Sequence, residues 1–214
     1  MSMLQPDTHV LFIGDSITDA GRDRSDPDHL GGGYAALVAA YAQNPTADQL
    51  AKVRFANRGI SGNRVRDLRA RWQTDCLDLA PDVVSIMIGI NDTWRRYDSG
   101  DATSVDDFAR DYDEILSRTR DNVAALLLVE PFLLPVRPEQ HGWREDLDPK
   151  IAVVHTLAER YSATLVPLDT LLTQAAGDVG PAALAGDGVH PTPEGHALIA
   201  RHWLAAAGAE VTAD

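Results

Sequence analysis

The sequence predicts an α/β protein, built as a three-layer α/β/α sandwich around a five-stranded parallel sheet. Five short apolar runs alternate along the chain with longer segments of helical periodicity, which is typical of a parallel sheet covered by helices on both faces. Three of these runs end at small polar turns that contain glycine, as strands do where an open sheet binds its ligand. The 214 residues suit one α/β domain, so we predict a single domain over residues 1–214.

The predicted strands are short apolar runs bounded by turn residues. The first indicates a buried strand because it is continuous and apolar, and it stops at a glycine. That glycine is expected to permit a sharp turn through backbone angles that other residues avoid. The strands are predicted at residues 10–13, 52–56, 82–88, 122–129 and 164–167.

Six helices are predicted from apolar residues at helical spacing. Thr103 or Ser104 is the expected N-cap of the third helix, and Pro149 is expected in the first turn of the fourth. Residues 44–46 are expected to end the first helix, and residues 208–214 to form a frayed tail. The helices are predicted at residues 34–42, 64–79, 101–120, 146–161, 168–176 and 193–207, with loops at residues 20–33, 133–143 and 177–188.

The charge of the chain argues against polyanionic partners. Its 19 Lys and Arg against 32 Asp and Glu give a formal net charge of −13, which disfavours nucleic acid and anionic membranes. Cys76 is the single cysteine, so an intramolecular disulfide is excluded, and we expect it to be a small core residue. No secretory leader pattern and no bilayer-spanning apolar run is visible, so we expect a cytoplasmic protein.

Three predicted strands end in polar turns that would meet at one edge of a parallel sheet. These turns are Gly14-Asp15-Ser16, residues 59–63 and residues 89–92, and a fourth polar segment, residues 187–191, precedes the last helix. Taken alone, Ser16 is better explained as a helix N-cap than as a nucleophile. The four segments together favour a nucleophile, because they supply the groups that acyl transfer requires.

Acyl transfer requires a nucleophile with its base and a set of hydrogen-bond donors. A serine hydroxyl needs a base within hydrogen-bond reach, and a histidine base needs a carboxylate that holds one tautomer. Asp187 lies three residues before His190, so a single turn can bring the two side chains together. The backbone N–H groups of Ser16 and Gly62 and the side-chain amide of Asn91 are donors of the kind that an oxyanion needs.

Other interpretations of the same residues are weaker. A phosphate loop is disfavoured because Asp15 lies in the first turn and no Lys follows it. A metal site is not expected, because His196 and His202 lie on different faces of a helix, as cap or surface residues. The glycosylation acceptor pattern at residues 91–93 is a chance match at a strand end.

The four segments resemble the four sequence blocks of the SGNH, or GDSL-type, hydrolase family. They occur in the family's order and spread over most of the chain, as Gly14-Asp15-Ser16, Gly62, Gly89-x-Asn91-Asp92 and Asp187-x-x-His190-Pro191. The resemblance implies a flavodoxin-like sandwich that needs no cofactor, with Ser16 as nucleophile, His190 as base and Asp187 as its orienting acid. It also implies an oxyanion hole formed by Ser16, Gly62 and Asn91.

The residues around these blocks are similar to bacterial carbohydrate esterases of that family, which remove acetyl groups from xylan or xylo-oligosaccharides. That subfamily has a stretch of the type Trp-Asp-Arg-Val-His-Pro at its last block, where this chain has Gly186 and Gly188 in place of the aromatic residue and the arginine. We expect the loss of these two side chains to open the pocket, which leaves the preferred sugar open.

Several residues beside the blocks are candidates for contact with the substrate. Asp15 is also expected to hold its turn through backbone N–H groups. The aromatic residues after Asn91 are equally compatible with stacking on a sugar ring and with packing in the protein. The candidate substrate-binding residues are Asp15, Asn63, Asp92, Trp94, Arg95 and Tyr97.

The leading hypothesis is a serine esterase that removes acetyl groups from a small acetylated sugar through an acyl-enzyme. The alternative keeps the chemistry but acts on longer acyl chains, as a thioesterase or lysophospholipase, with an apolar groove lined by residues 30–33 and 132–136. A third hypothesis is a non-catalytic carbohydrate-binding protein, which the intact Ser16, Asp187 and His190 disfavour.

Two surface features remain open at the level of sequence. A homo-oligomer is compatible with the chain, and Phe132, Leu133 and Leu134 are candidates for its interface. A local group of arginines is interpreted as a solvated or interface helix face, with attraction of acidic sugars as the alternative. Its members are Arg58, Arg64, Arg66, Arg69 and Arg71.

Overall fold

A computed structural model describes residues 2–42 and 52–209, and within them five parallel strands form one sheet. The strands are β1 (His9–Gly14), β2 (Arg54–Asn57), β3 (Val83–Met87), β4 (Ala125–Val129) and β5 (Thr164–Val166). Their spatial order, β2-β1-β3-β4-β5, is that of flavodoxin-like sheets. The predicted fold class and number of strands are therefore confirmed.

Helices connect the strands and cover both faces of the sheet. The hydroxyl of Ser104, one of the two predicted N-caps, accepts a hydrogen bond from the Asp107 N–H at 3.0 Å and so begins α5. The helices of the described residues are α1 (Ser16–Asp19), α2 (Tyr34–Ala42), α3 (Val65–Asp75), α4 (Ile90–Asp98), α5 (Val105–Thr119), α6 (Arg144–Tyr161), α7 (Leu168–Val179), α8 (Pro181–Leu184) and α9 (Pro193–Ala206), with 3-10 helices at Leu77–Leu79 and Pro138–Trp143.

Side chains alternate between the two faces of the sheet and form two apolar cores. On one face, Val10 and Phe12 of β1 pack with residues of α2, α7 and α9. On the other face, Leu11 and Ile13 pack with residues of α3, α5 and α6. Trp203 of α9 also donates a hydrogen bond from Nε1 to Ser85 Oγ of β3 at 2.8 Å, which fixes this helix against the sheet.

The carboxyl ends of the strands are level with one another. Gly14 is in register with Met87, Met87 with Val129, and Val129 with Val166. The segments that follow these residues therefore begin at one edge of the sheet, where the polar turns were predicted to meet.

Helix α4 and its neighbours show where the element prediction was incomplete. Gly89 is the N-cap of α4, so the polar turn predicted at residues 89–92 is the start of a helix.

The predicted loop at residues 133–143 ends in a 3-10 helix that leads directly into α6. Because α6 therefore begins at Arg144, Pro149 lies inside the helix and not in its first turn. The loop predicted at residues 177–188 likewise contains the end of α7 and all of α8.

Two further predictions can be compared directly with the structure. Phe132, Leu133 and Leu134 are at most 2% exposed in the core, so their prediction as an oligomer interface is wrong. Cys76 is buried, as expected. Residues 44–46 and residues 210–214 lie outside the described part of the chain. Within that part, no helix has the length and apolarity needed to cross a bilayer.

Candidate active site

Ser16 lies where β1 gives way to α1 at the carboxyl edge of the sheet. Asp15 is the N-cap of α1, because its Oδ1 accepts a hydrogen bond from the Ile17 N–H at 3.0 Å. Ser16 is therefore the first residue of the helix and not its cap. Asp15 takes the role of helix cap, so the hydroxyl of Ser16 is not needed for capping.

Gly14 is required by space at this junction. A Cβ on Gly14 would lie 2.3 Å from the carbonyl oxygen of Met87 and 2.6 Å from the hydroxyl oxygen of Thr18. Gly14 does not have a positive φ, so the expected reason, an unusual backbone angle, is wrong. The missing side chain allows β1 to end close against β3 while α1 begins at once.

Ser16, His190 and Asp187 form one hydrogen-bonded series. Ser16 Oγ lies 3.0 Å from His190 Nε2, and His190 Nδ1 lies 2.7 Å from Asp187 Oδ2. The other carboxylate oxygen, Oδ1, accepts hydrogen bonds from the N–H groups of Val189 at 2.9 Å and His190 at 2.7 Å. The turn that contains Asp187 thus orients its own carboxylate toward the histidine ring.

The surroundings of Asp187 keep its carboxyl group in the charged form. Burial raises the pKa of Asp187, but hydrogen bonds from the ring and the backbone of His190 and from the Val189 N–H outweigh it and leave the pKa below its ordinary value. Asp187 is therefore ionised at neutral pH, and its charge can stabilise an imidazolium.

The second polar turn presents Gly62. The Asn63 N–H donates to the Ile60 carbonyl at 3.1 Å, and Gly62 has a φ of 83° with nothing within 4 Å of the place a Cβ would take. Glycine is thus needed here for its backbone angle. Asp19 of α1 anchors the turn, because its Oδ2 accepts from the N–H and the hydroxyl of Ser61 at 3.0 and 2.8 Å.

Asn91, in the first turn of α4, joins the third polar turn to the second. Its Nδ2 donates to the carbonyl of Asn63 at 3.1 Å, and the residue is 3% exposed. A side-chain amide carries two N–H bonds, so one remains available to an oxyanion. The structure thus links all three strand-end turns, as predicted from their positions at the ends of parallel strands.

Asp92 follows Asn91 but ties α4 to the neighbouring helix. It is 0% exposed, and its Oδ2 accepts from the Val65 N–H at the start of α3 at 3.1 Å. Burial raises its pKa to about 7, despite that hydrogen bond and the charge of Lys150. A substrate cannot reach Asp92, so its prediction as a substrate-binding residue is wrong.

Asp15 is also removed from the substrate-binding candidates. It is 1% exposed, and burial raises its pKa to about 7, against the lowering effects of the Ile17 N–H and of His190. Its hydrogen bond to the Ile17 N–H confirms that it holds the turn.

A row of aromatic rings extends away from His190. The Trp94 ring centroid lies 5.8 Å from that of His190 and 5.7 Å from that of Trp143. Tyr97 stacks on Trp143 at 5.2 Å, with an angle of 10° between the planes, and its hydroxyl donates to the Gly142 carbonyl at 3.1 Å. Packing thus explains Tyr97, whereas the Trp94 ring lies close both to Trp143 and to the histidine ring. The sequence prediction missed Trp143.

Arg95 and Asn63 are held by other side chains. Arg95 forms an ion pair with Asp98 and lies over the Trp94 ring, 5.8 Å from its centroid. Asn63 Oδ1 accepts from Arg71 Nε at 2.8 Å. Both residues keep their place among the substrate-binding candidates as predictions.

The group of arginines near α3 is paired with carboxylates or backbone carbonyls. Four of the five guanidinium groups form ion pairs with three aspartates, two of them with the same one, and this engagement weakens the acidic-sugar alternative. The pairs are Arg64 with Asp101 at 2.7 Å, Arg66 with Asp101 at 3.0 Å, Arg69 with Asp111 at 3.0 Å and Arg71 with Asp75 at 2.7 Å, while Arg58 donates to the Pro27 and Asn57 carbonyls at 3.2 and 3.0 Å.

The two glycines of the last block differ in their surroundings. Gly186 is exposed, and a Cβ there would meet nothing within 4 Å, so this position is open as expected. Gly188 has a φ of 88°, and a Cβ there would lie 2.7 Å from the Leu134 carbonyl oxygen. The expectation of open space at Gly188 is therefore wrong.

The histidines of α9 do not form a metal site in the described structure. His196 Nδ1 instead accepts from the Tyr34 N–H at 3.2 Å and so caps α2. Across residues 2–42 and 52–209, no group of three or more His, Cys, Asp or Glu side chains is arranged to hold a metal ion.

A serine, a histidine and an aspartate in hydrogen-bonded series, beside amide donors at the carboxyl edge of a parallel sheet, define a serine hydrolase. Residues 12–198 match the model of the GDSL-like lipase/acylhydrolase family, and the chain belongs to that family.

The relatives include well-matched acetylxylan esterases. An acetylxylan esterase of Geobacillus stearothermophilus is 38% identical over 209 residues, which cover 94% of each chain. The crystal structure of Axe2, an acetylxylan esterase from that organism, has 37% identity and a TM-score of 0.90 over 99% of this chain and 100% of that one. The structure of LAE5, an alpha/beta hydrolase enzyme from the metagenome of Lake Arreo, Spain, has 34% identity and a TM-score of 0.89 over the same shares.

Proposed function

We propose that this protein is a serine esterase that removes acetyl groups from xylo-oligosaccharides through an acyl-enzyme. The observation that carries the proposal is the series Ser16–His190–Asp187, with contacts of 3.0 and 2.7 Å, in a chain 38% identical to an acetylxylan esterase. Structures of Axe2 catalytic mutants, in which a serine, an aspartate or a histidine is replaced by alanine, support the same three residue types.

In the first step, Ser16 Oγ attacks the carbonyl carbon of the acetyl group. His190 Nε2, 3.0 Å away, takes the hydroxyl proton. Asp187 Oδ2 accepts a hydrogen bond from the Nδ1–H of the ring and stabilises the imidazolium that results. The bond formed is Oγ–C, and the carbonyl oxygen becomes an oxyanion.

The oxyanion is stabilised by donors from three turns. These are the N–H of Ser16, the N–H of Gly62 and the free N–H of the Asn91 side chain. Ser16 begins α1, so its N–H has no carbonyl one turn earlier to bond within the helix. Each such donor contributes about 3 kcal/mol to lowering the barrier.

The tetrahedral intermediate then loses the sugar. His190 gives its proton to the sugar oxygen as the C–O bond breaks, which leaves acetyl on Ser16. A water molecule, deprotonated by His190, attacks the carbonyl carbon of this ester and forms a second tetrahedral intermediate. As its bond to Oγ breaks, His190 returns the proton to Oγ, which releases acetate and restores the serine. The cycle needs no group beyond the chain and water.

Trp94 is the candidate contact for the sugar. Its ring lies beside the base, with its centroid 5.8 Å from that of His190, the residue that gives its proton to the leaving sugar oxygen. An aromatic face suits the apolar side of a sugar ring, and Arg95, 5.8 Å from the centroid of the Trp94 ring, adds a polar group beside it.

Longer acyl chains are not favoured. The groove that a thioesterase or lysophospholipase would use was expected to include residues 132–136, and Phe132, Leu133 and Leu134 are instead core residues. A purely carbohydrate-binding protein is not favoured either, because binding alone requires no Ser–His–Asp series. Cytoplasmic localisation, homo-oligomer formation and the single-domain organisation stay predictions.

A hydrolysis panel tests the proposal. It compares acetylated xylobiose, acetylated xylose, peracetylated glucose and 4-nitrophenyl octanoate, with 4-nitrophenyl acetate as reference. We expect acetylated xylo-oligosaccharides to be turned over with the highest kcat/KM and octanoate to be poor. Ser16→Ala removes turnover, whereas Ser25→Ala, an exposed serine of the loop after α1, retains it. Preference for octanoate, or turnover by Ser16→Ala, contradicts the proposal.

A further inference from the structure

The Asp187–His190 turn is partly exposed, with side chains that are 39% and 47% accessible. Its place relative to Ser16 therefore depends on what holds its backbone. Among the described residues, two hydrogen bonds reach the backbone of Asp187 and Gly188 from a distant segment. The Leu134 N–H donates to the Gly188 carbonyl at 2.9 Å, and Gln140 Nε2 donates to the Asp187 carbonyl at 2.7 Å.

The side-chain amide of Gln140 is fixed at both ends. Gln140 is 0% exposed, and its Oε1 accepts from the N–H groups of Val136 at 2.9 Å and Arg137 at 3.0 Å. Because an oxygen must face these two donors, the Nε2 end is the one that faces Asp187. The amide thus joins two segments that lie 47 residues apart.

Gly188 fits closely against the same amide. A Cβ on Gly188 would lie 2.9 Å from Gln140 Nε2 and 3.0 Å from its Oε1. The absence of a side chain at Gly188 therefore allows the turn to approach Gln140.

The segment that carries Gln140 is itself anchored to α6 and α7. The Leu133 N–H donates to Asp169 Oδ1 at 3.1 Å. Arg144 binds both oxygens of Asp169, at 2.7 and 2.8 Å. The hydrogen bond from Gln140 to the Asp187 carbonyl therefore fixes the exposed turn to a segment that is itself held by α6 and α7.

We propose that Gln140 is a positioning residue for the acid–base pair. It does not touch the reacting atoms, but it holds the main chain of Asp187 so that Oδ2 meets His190 Nδ1 and Nε2 meets Ser16. This inference rests on the proposed function, because it assigns Gln140 a role through Asp187 and His190.

Two variants test the role. Gln140→Leu removes all three hydrogen bonds, and Gln140→Glu keeps an oxygen for the Val136 and Arg137 N–H groups but loses the donor to Asp187. We expect kcat for 4-nitrophenyl acetate to fall between about 10- and 100-fold in both, since small misplacements of catalytic groups have costs of this size. KM stays within twofold of the wild-type value.

The pH profile separates positioning from lost stability. In Gln140→Leu, Asp187 is less well placed to stabilise the imidazolium, so the acidic limb of kcat/KM moves to lower pH. The other titratable groups that interact with the His190 ring, Asp15 and His196, are unchanged in this variant. Thr119→Val is the matched control for lost stability. It also removes a buried hydrogen-bonding group, the Thr119 hydroxyl, which accepts from Trp72 Nε1 at 2.8 Å between α3 and α5.

Different results would contradict the role of Gln140 and the proposed function. Wild-type kcat in both Gln140 variants, an unmoved acidic limb in Gln140→Leu, or the same shift in Thr119→Val overturns the role of Gln140. Turnover by Ser16→Ala overturns the proposed function instead.

Discussion

The two oxygens of the Asp187 carboxylate have different partners, one in the backbone of its own turn and one in the catalytic series. Oδ1 closes its own turn through two backbone N–H groups, and Oδ2 faces the histidine. The spacing of three residues places all of these contacts within one turn, which is why the pair is predictable from sequence. The proton on His190 is thereby directed to Nδ1, which leaves Nε2 free to accept from Ser16.

Asp187→Asn tests this use of the carboxylate. Asparagine can keep an oxygen for the backbone donors, but its Nδ2 then faces His190 Nδ1 and favours the tautomer with a proton on Nε2. We expect kcat to fall by about 10⁴-fold with little change in KM. Steady-state kinetics with 4-nitrophenyl acetate measure the loss, and Asp178→Asn, an exposed residue of α7, is the control. A loss of less than tenfold would count against the assignment of Asp187.

Asp92 makes a prediction about stability, because burial raises its pKa from 3.8 to about 7. Between these values the folded protein holds the proton and the unfolded chain does not, so this group's contribution to stability falls as pH rises. Asp92→Asn cannot titrate and keeps an acceptor for the Val65 N–H. Relative to wild type, its free energy of unfolding should therefore rise between pH 4 and pH 7, by on the order of a few kcal/mol.

Urea unfolding at several pH values measures this difference. Asp178→Asn controls for removal of an exposed charge and should follow the wild-type profile. Equal pH dependence in Asp92→Asn and wild type would show that Asp92 is ionised in the folded protein.

At the scale of single elements, α4 carries two candidate site residues and one buried residue that supports them. It carries Asn91 toward the second turn, Asp92 toward α3 and Trp94 toward His190. Helix α6 also contacts the first turn of α4. Buried Lys150 of α6 forms an ion pair with Asp146 and lies 3.4 Å from the Thr93 hydroxyl. The position of one helix thus determines a proposed oxyanion donor and a proposed sugar contact together.

Gly89→Ala tests the start of α4. Gly89 has a φ of 134°, and a Cβ there would lie 2.9 Å from Pro131 Cγ. We expect the backbone strain to lower the free energy of unfolding by about 1–3 kcal/mol, and kcat to fall because Asn91 shifts.

Gly100→Ala is the matched control for the backbone angle. Gly100 has a φ of 72° but open space around it, so we expect a loss of stability of about 1–2 kcal/mol without a change in kcat. Wild-type kcat in Gly89→Ala, measured together with thermal unfolding, would contradict the importance of this helix start.

Local pattern decides which elements are predictable. The strands were predicted because each is a short apolar run, and the catalytic blocks because each lies at a strand or helix end. Helix α4 was missed because its first turn is polar, and Asn91 and Asp92 were interpreted as a turn after β3 although acidic residues are also typical of a helix start. Asp19 and Gln140 were missed because each joins segments more than 40 residues apart, and no spacing along the chain indicates such a contact.

At the scale of the whole molecule, the parallel sheet has an apolar core on each face and the candidate active site at its carboxyl edge. Residues of β1 alternate between the cores, and the Trp203–Ser85 hydrogen bond secures α9 to the sheet. The N-terminal segment is tied to the end of the same helix, because the Met3 N–H donates to the Ala207 carbonyl at 2.8 Å. The site joins Ser16, which follows β1, with Asp187 and His190, which precede α9, because α9 packs on β1 through Trp203 and Phe12.

This shared sheet predicts one cooperative unfolding transition. Neither core can persist when the strands between them separate, so backbone circular dichroism and tryptophan fluorescence should report the same midpoint. Urea unfolding with both probes measures it. Two separate midpoints would contradict the prediction of a single domain.

Mass spectrometry of the quenched enzyme tests acyl transfer through Ser16 most directly. The protein is mixed with acetylated xylobiose, quenched in acid during turnover and digested. We expect an acetyl adduct on the peptide that contains Ser16, and neither adduct nor turnover in Ser16→Ala. Release of acetate by Ser16→Ala, or turnover with the acetyl group on another residue, would contradict acyl transfer through Ser16.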